Sequence, residues 1–260
     1  MNGLDFGFGA VEAEFWKLMF AMTRIAAAML AAPLFGAAGV PVQARVVLAG
    51  AVAVMVCAWT PLAVPPALFS LAGLVAVLGE VLVGLALGFV VQVAFAGPVI
   101  AAEVIGGAMG MSLATSVDPS SGAQSPALGQ YFMVTLTLVF LALGGHLHWL
   151  RLVVDSYAAL PPGAAWLSPE RIGVIVSFGS EMFTTGVAMA LPVTLVLLLV
   201  QVLTGVLSRS APALNLFALG LPAGVLAGLA ALIVAAPLLA DQMADLSGLA
   251  LDAAGAVIAK

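Results

Sequence analysis

Long apolar runs alternate with short polar or proline-rich breaks along this chain of 260 residues. The runs fall near residues 18–35, 46–64, 68–102, 131–150, 172–207 and 213–240. A helix that spans a bilayer takes about 20 residues, so the third and fifth runs are overlong. Such runs either tilt and bend or fold back as hairpins. Gly97-Pro98 and Leu191-Pro192 are the expected breaks, because proline lacks the N–H that an inner helical position must donate. Gly36-Ala-Ala-Gly-Val-Pro41, the prolines at 61, 65 and 66, and Pro161-Pro162-Gly163 punctuate the connectors. The pattern predicts an all-α integral membrane protein of about six to eight helical pieces.

One interval breaks the apolar pattern. Residues 110–130 form a polar island rich in Gly, Ser and Pro between runs of membrane character. Gly110, Pro119, Gly122, Pro126 and Gly129 forbid one regular helix through it. Lipid cannot satisfy the N–H and C=O groups of irregular backbone. At membrane depth such a segment must be enclosed by protein or line a watery cavity. There it is a candidate pore, gate or plug; as an aqueous loop it says little.

Composition fixes the class. Hydrophobic residues make up 64% of the chain, charged residues 7%, and mean hydropathy is +1.25. A soluble fold of this length cannot hide so much apolar surface. The net charge of −5 comes from few groups and offers no basic face, which argues against a nucleic-acid partner. Cys57 is the single cysteine and reads as a small buried hydrophobe. The first fifteen residues carry acids and no Lys or Arg, unlike a cleaved export signal, so the first run is expected to remain as a helix.

Ionisable groups inside apolar runs are costly in lipid and face protein or water. Arg24, Glu80, Glu103 and Glu181 are of this kind. They read either as an ion or proton relay or as charges that meet partners, and the sequence leaves open whether Arg24 meets a glutamate. Gly220, Gly224 and Gly228 share one helix face, and Gly84 with Gly88 makes a shorter version; both read as close helix packing, within the chain or against another subunit. Met109 and Met111 flank the start of the island, where a flexible thioether can seal an irregular gap or simply fill a core.

Catalytic signatures are missing. Gly106-Gly107-Ala-Met-Gly110 has no following Lys-Ser or Lys-Thr, so it is not a phosphate loop. His146 and His148 would lie about 200° apart around a helix, which does not suit a shared metal. No serine elbow, zinc helix or dinucleotide fingerprint occurs. Neither an enzyme, a metal site nor a cofactor is expected.

Several motifs, in order and at family spacing, do match something known. They are Val40-Pro41 with Arg45; Gly84-Leu-Ala-Leu-Gly-Phe89; Gly106-Gly-Ala-Met-Gly-Met-Ser-Leu113; Val117-Asp-Pro-Ser-Ser-Gly122; the Gly-His element at His146; and Ser208-Arg-Ser-Ala-Pro-Ala-Leu-Asn-Leu-Phe-Ala-Leu-Gly-Leu-Pro222. Across nearly the whole chain the sequence resembles the R/T family of type III secretion export-gate subunits. Ala213 and Leu221 depart from the common pattern, which has Gln and Phe there.

The resemblance implies a bundle of bent helical hairpins, with a P-like part over residues 1–160 followed by a Q-like part over 161–260. It implies a multi-pass protein of the bacterial inner membrane, in the flagellar basal body, joined to P-type and Q-type subunits and other export-apparatus membrane proteins, and passing unfolded export substrates. It also implies a channel plug over 107–122, carried residue by residue onto Gly107, Met109, Gly110, Met111, Ser112, Asp118, Pro119, Ser120, Ser121 and Gly122. The motifs do not separate a flagellar gate from a virulence injectisome. A small-molecule transporter would need inverted repeats, and an intramembrane enzyme would need clustered polar groups; neither is visible in the sequence.

Overall fold

A computed structural model describes residues 10–62, 65, 70–111, 126–162, 168–210 and 216–259. Seven α-helices occupy these residues, with no strand among them: α1 (Ala10–Ala31), α2 (Val42–Trp59), α3 (Leu71–Ala108), α4 (Pro126–Ala142), α5 (Gly145–Ala159), α6 (Pro169–Ser210) and α7 (Leu216–Ala259). The chain is an all-α membrane bundle. Four helices are long and apolar enough to cross a bilayer, or up to five if α4 and α5 together make one span. The first apolar run forms α1, which is not among the four.

The expected breaks at Gly97-Pro98 and Leu191-Pro192 do not end their helices. Both α3 (38 residues) and α6 (42 residues) continue through their proline, and α7 continues through Pro222 and Pro237. A proline forfeits one ladder hydrogen bond, and in a bundle the neighbouring helices hold the rest in place. At 1.5 Å per residue α3 is about 57 Å long, well beyond the hydrocarbon thickness of about 30 Å.

The chain divides into two compact units, with boundaries inside α3, α6 and α7 and between α4 and α5. The first comprises Met1–Ala94, Gly144–Gly179 and Gly248–Lys260. Its core is built on small residues. Ala21, Ala28, Ala32, Ala49 and Ala53 are buried along α1, its C-terminal end and α2. A methyl group on Gly84 of α3 would collide with the Arg24 carbonyl and lie 2.9 Å from Ala27 Cβ; one on Gly88 would meet the Ala28 carbonyl and lie 2.7 Å from Ala31 Cβ. The glycines therefore let α3 press directly onto the backbone of α1. Trp149 of α5 stacks on Phe35 at 5.4 Å and donates its indole N–H to Leu87 O at 3.1 Å. Arg45 donates to Gly36 O (3.4 Å) and Ala37 O (2.6 Å), closing the turn after α1.

The second unit comprises Phe95–Leu143 and Ser180–Ser247. Here α3 and α6 touch where Gly186 faces Gly97: an added methyl would lie 2.8 Å from Gly97 O and 3.2 Å from Ile100 Cβ. Phe95 and Phe140 pack edge to face at 5.9 Å. Many leucines and valines of α6 remain exposed, among them Leu191, Leu195, Leu198, Leu199, Val202 and Leu203. In water such a face is untenable; it suits lipid or a neighbouring subunit.

Candidate functional site

Two places draw together the residues singled out in the sequence. The first is a buried ion pair in the first unit. Arg24 and Glu80 are 1% and 2% exposed. Arg24 Nε and Nη2 donate to the two carboxylate oxygens of Glu80 at 2.8 and 2.9 Å. Nη2 also donates to Leu160 O at 2.8 Å, and Nη1 to Ser156 O and Oγ at 2.8 and 3.1 Å. The guanidinium lies 4.2 Å from the centre of the Tyr157 ring, and the Tyr157 hydroxyl donates to Ala21 O. All five arginine N–H groups thus have acceptors. One residue of α1 fastens α3, α5 and the residue that follows α5.

This arrangement answers the question that the sequence left open. Arg24 pairs with Glu80, while Glu103 and Glu181 are exposed. The guanidinium has no donor to spare, an arrangement that suits a structural staple across the unit. Ser156 and Tyr157 were not anticipated; their only signal in the sequence is a pair of polar residues at the end of the shorter, less apolar α5.

The second place is the end of α3, where the polar island begins. Gly107 lies in the last turn of the helix, and an added methyl there would meet nothing within 4 Å. Gly110 adopts φ +82°, Met111 N donates to Gly106 O and Gly110 N to Gly107 O, each at 3.0 Å. This is a glycine-terminated helix stop, with both hydrogen bonds of the Schellman arrangement in place. Met109 is buried, and Met111 is half-buried. Gln201 of α6 donates from Nε2 to Ala108 O at 2.8 Å. Ser112, Asp118, Pro119, Ser120, Ser121 and Gly122 lie outside the described residues.

The glycines of α7 differ from one another. A methyl on Gly228 would lie 2.6 Å from Cγ of Met109 and 2.8 Å from its Sδ and Cε; on Gly224 it would lie 3.1 Å from the Met109 carbonyl oxygen. At Gly220 it would meet nothing. Beside this contact, Met109 and Met111 border an apolar cavity of about 610 Å³, lined also by Leu128, Tyr131 and Phe132 of α4 and Leu232 of α7. His146 is half-buried, His148 exposed, and no cluster of three or more metal-ligating side chains occurs among the described residues. Cys57 is half-buried, with Lys17 Nζ 3.4 Å from its carbonyl oxygen.

One place is a saturated ion pair, the other a helix end beside an apolar cavity. Residues 15–249 match the family described as bacterial export proteins, family 1. The chain belongs to this family. It is 34% identical over 226 residues to the flagellar biosynthetic protein FliR of Escherichia coli K12, covering 87% of this chain and 85% of that protein. The FliR of Bacillus subtilis strain 168 is 31% identical over 224 residues, covering 85% and 86%. A shorter match reaches the surface presentation of antigens protein SpaR of Shigella flexneri, 34% identical over 142 residues and 55% of each chain. Membership of an export family accords with the multi-pass, apolar helices described above.

Proposed function

We propose that this chain is a non-enzymatic subunit of the flagellar type III protein-export gate, helping to wall the channel through which unfolded flagellar proteins leave the cell. The observation that carries this is the family match across residues 15–249, joined by flagellar relatives aligned over most of both chains. The finer assignments follow the resemblance. The chain sits in the bacterial inner membrane and assembles with P-type and Q-type subunits. Its first 160 residues form a P-like part and the rest a Q-like part. The island from Gly107 to Gly122 plugs the closed channel.

Physical chemistry supports these assignments. The exposed apolar stripe of α6 needs lipid or a partner to cover it. Glycine and serine offer little side-chain surface for packing and lose much entropy when fixed, a composition that suits a stopper that yields to a threading chain.

The SpaR match keeps the injectisome gate as the second reading, but it spans 55% of this chain against 87% and 85% for the FliR proteins of Escherichia coli and Bacillus subtilis. Affinity purification of the tagged chain from its native membranes tests the proposal. P-type and Q-type subunits should co-purify in a fixed ratio. Their absence from an otherwise intact membrane preparation would contradict it, and needle components in their company would favour the second reading.

A further inference from the structure

The glycine stripe of α7 and Gln201 of α6 meet the last turn of α3 in a way that the export proposal does not require. A helix C-terminus leaves its last carbonyls without intrahelical partners. Gln201, although exposed, reaches one of them, Ala108 O, at 2.8 Å. The next residue, Met109, is 3% exposed and seated over Gly228, with its backbone carbonyl against Gly224. Then Gly110 turns the chain at φ +82° and closes the helix stop. Three different interactions, from three helices, thus converge on three consecutive residues. The stripe is specific as well: Gly228 and Gly224 lie against Met109, while a methyl on Gly220, on the same face, would meet nothing within 4 Å among the described residues. An unbranched thioether lies flat in a groove that only the missing side chains create.

We infer that Gln201, Gly224 and Gly228 are positioning residues of the export gate, which hold residues 108–110 as a fixed post at the point where the chain leaves the helices for the polar island. This rests on the proposed export function. The post sets where the island starts, so loosening it misplaces the seal without removing it.

The test uses the assembled complex, purified with its companion subunits and reconstituted in a planar bilayer, and reads ion conductance in the absence of substrate. Gly228→Val, which drives a side chain into Met109, should raise the leak roughly tenfold, the effect of about 1.4 kcal/mol on a two-state ratio. Gly220→Val should leave it unchanged. Gln201→Glu, a surface change that keeps shape but loses the donor, should also leak, while Gln201→Lys, which keeps a donor, should stay near the parent. Adding Met109→Ala to Gly228→Val should raise the leak no further, because both break one contact. If Gly228→Val and Gln201→Glu seal as well as the parent while a deletion of residues 112–122 leaks, the post is refuted and the export reading stands. If that deletion itself does not leak, the plug in the export reading has failed first. Gln201→Glu alone decides the matter should Gly228→Val prevent assembly.

Discussion

The two compact units bury different chemistry at their hearts. The first encloses an arginine–glutamate pair, both groups at least 98% buried, with every guanidinium donor spent on α3, α5 and Leu160. The second has one buried polar side chain among its described residues, Ser247, and brings its helices together through Gly97, Gly186, Gly224, Gly228 and a flexible methionine beside an open cavity. A buried charge pair tolerates no rearrangement, because parting the ions in a low dielectric is expensive. Apolar side chains around the cavity have no ionic partner and have room to re-pack, while Met109 stays closely fitted to Gly224 and Gly228. The polar island starts from the second unit, next to that cavity.

The harshest way to break this contrast is Arg24→Ala. Glu80 would stay buried without its partner, and the chain should lose about 3–5 kcal/mol of stability, read as a lower unfolding temperature in detergent. Replacing both ions, Arg24→Met with Glu80→Leu, should recover most of that loss. If the single change is harmless, the staple is decorative.

Glycine substitutions sharpen the comparison at an intermediate scale. Gly84→Ala should cost about 1–3 kcal/mol, since its methyl meets the Arg24 carbonyl and Ala27. Gly220→Ala, with nothing within 4 Å, should stay within about 0.5 kcal/mol. Equal losses at both sites would show that close approach does not set the cost, since helix propensity alone favours alanine over glycine. Tyr157→Phe removes one buried hydrogen bond to Ala21 O and should cost about 1 kcal/mol in the same assay.

The smallest effect is expected in the second unit. Ala240 borders the cavity, so Ala240→Leu has room to enter it and should shift stability by less than about 0.5 kcal/mol. Ala28→Leu, at a position with no exposed surface, should cost about 1–3 kcal/mol by overpacking. A reversal of that order would remove the distinction between a tight unit and an adaptable one.

Much of the architecture could be read from the chain because lipid imposes a simple code. Every apolar run became helix, and Pro61 and Pro161-Pro162 fall just after α2 and α5 as punctuation predicts, but α1 starts earlier than its run, at Ala10, α7 outlasts its run to Ala259, and the fourth run is divided between α4 and α5. Pro98 and Pro192 did not end their helices, because local propensity cannot see the neighbouring helices that hold the rest of the hydrogen-bond ladder in place. Gly84 and Gly88 were legible from spacing alone. The glycine triple was legible only as a stripe, since spacing does not tell Gly228, which lies against Met109, from Gly220, where a methyl would meet nothing within 4 Å among the described residues. The Arg24–Glu80 pair joins residues 56 positions apart, and its Ser156 contact 132, distances over which no periodicity carries information. Gln201 gave the faintest sign, a single amide in a run of leucines and valines.

The gate itself is tested most directly by the conductance of the assembled complex after deletion of residues 112–122, which leaves the described end of α3 intact. The expected result is a complex that still assembles with its companion subunits but passes ions at rest. A deleted complex that assembles and remains as tight as the parent would contradict a plug in this chain.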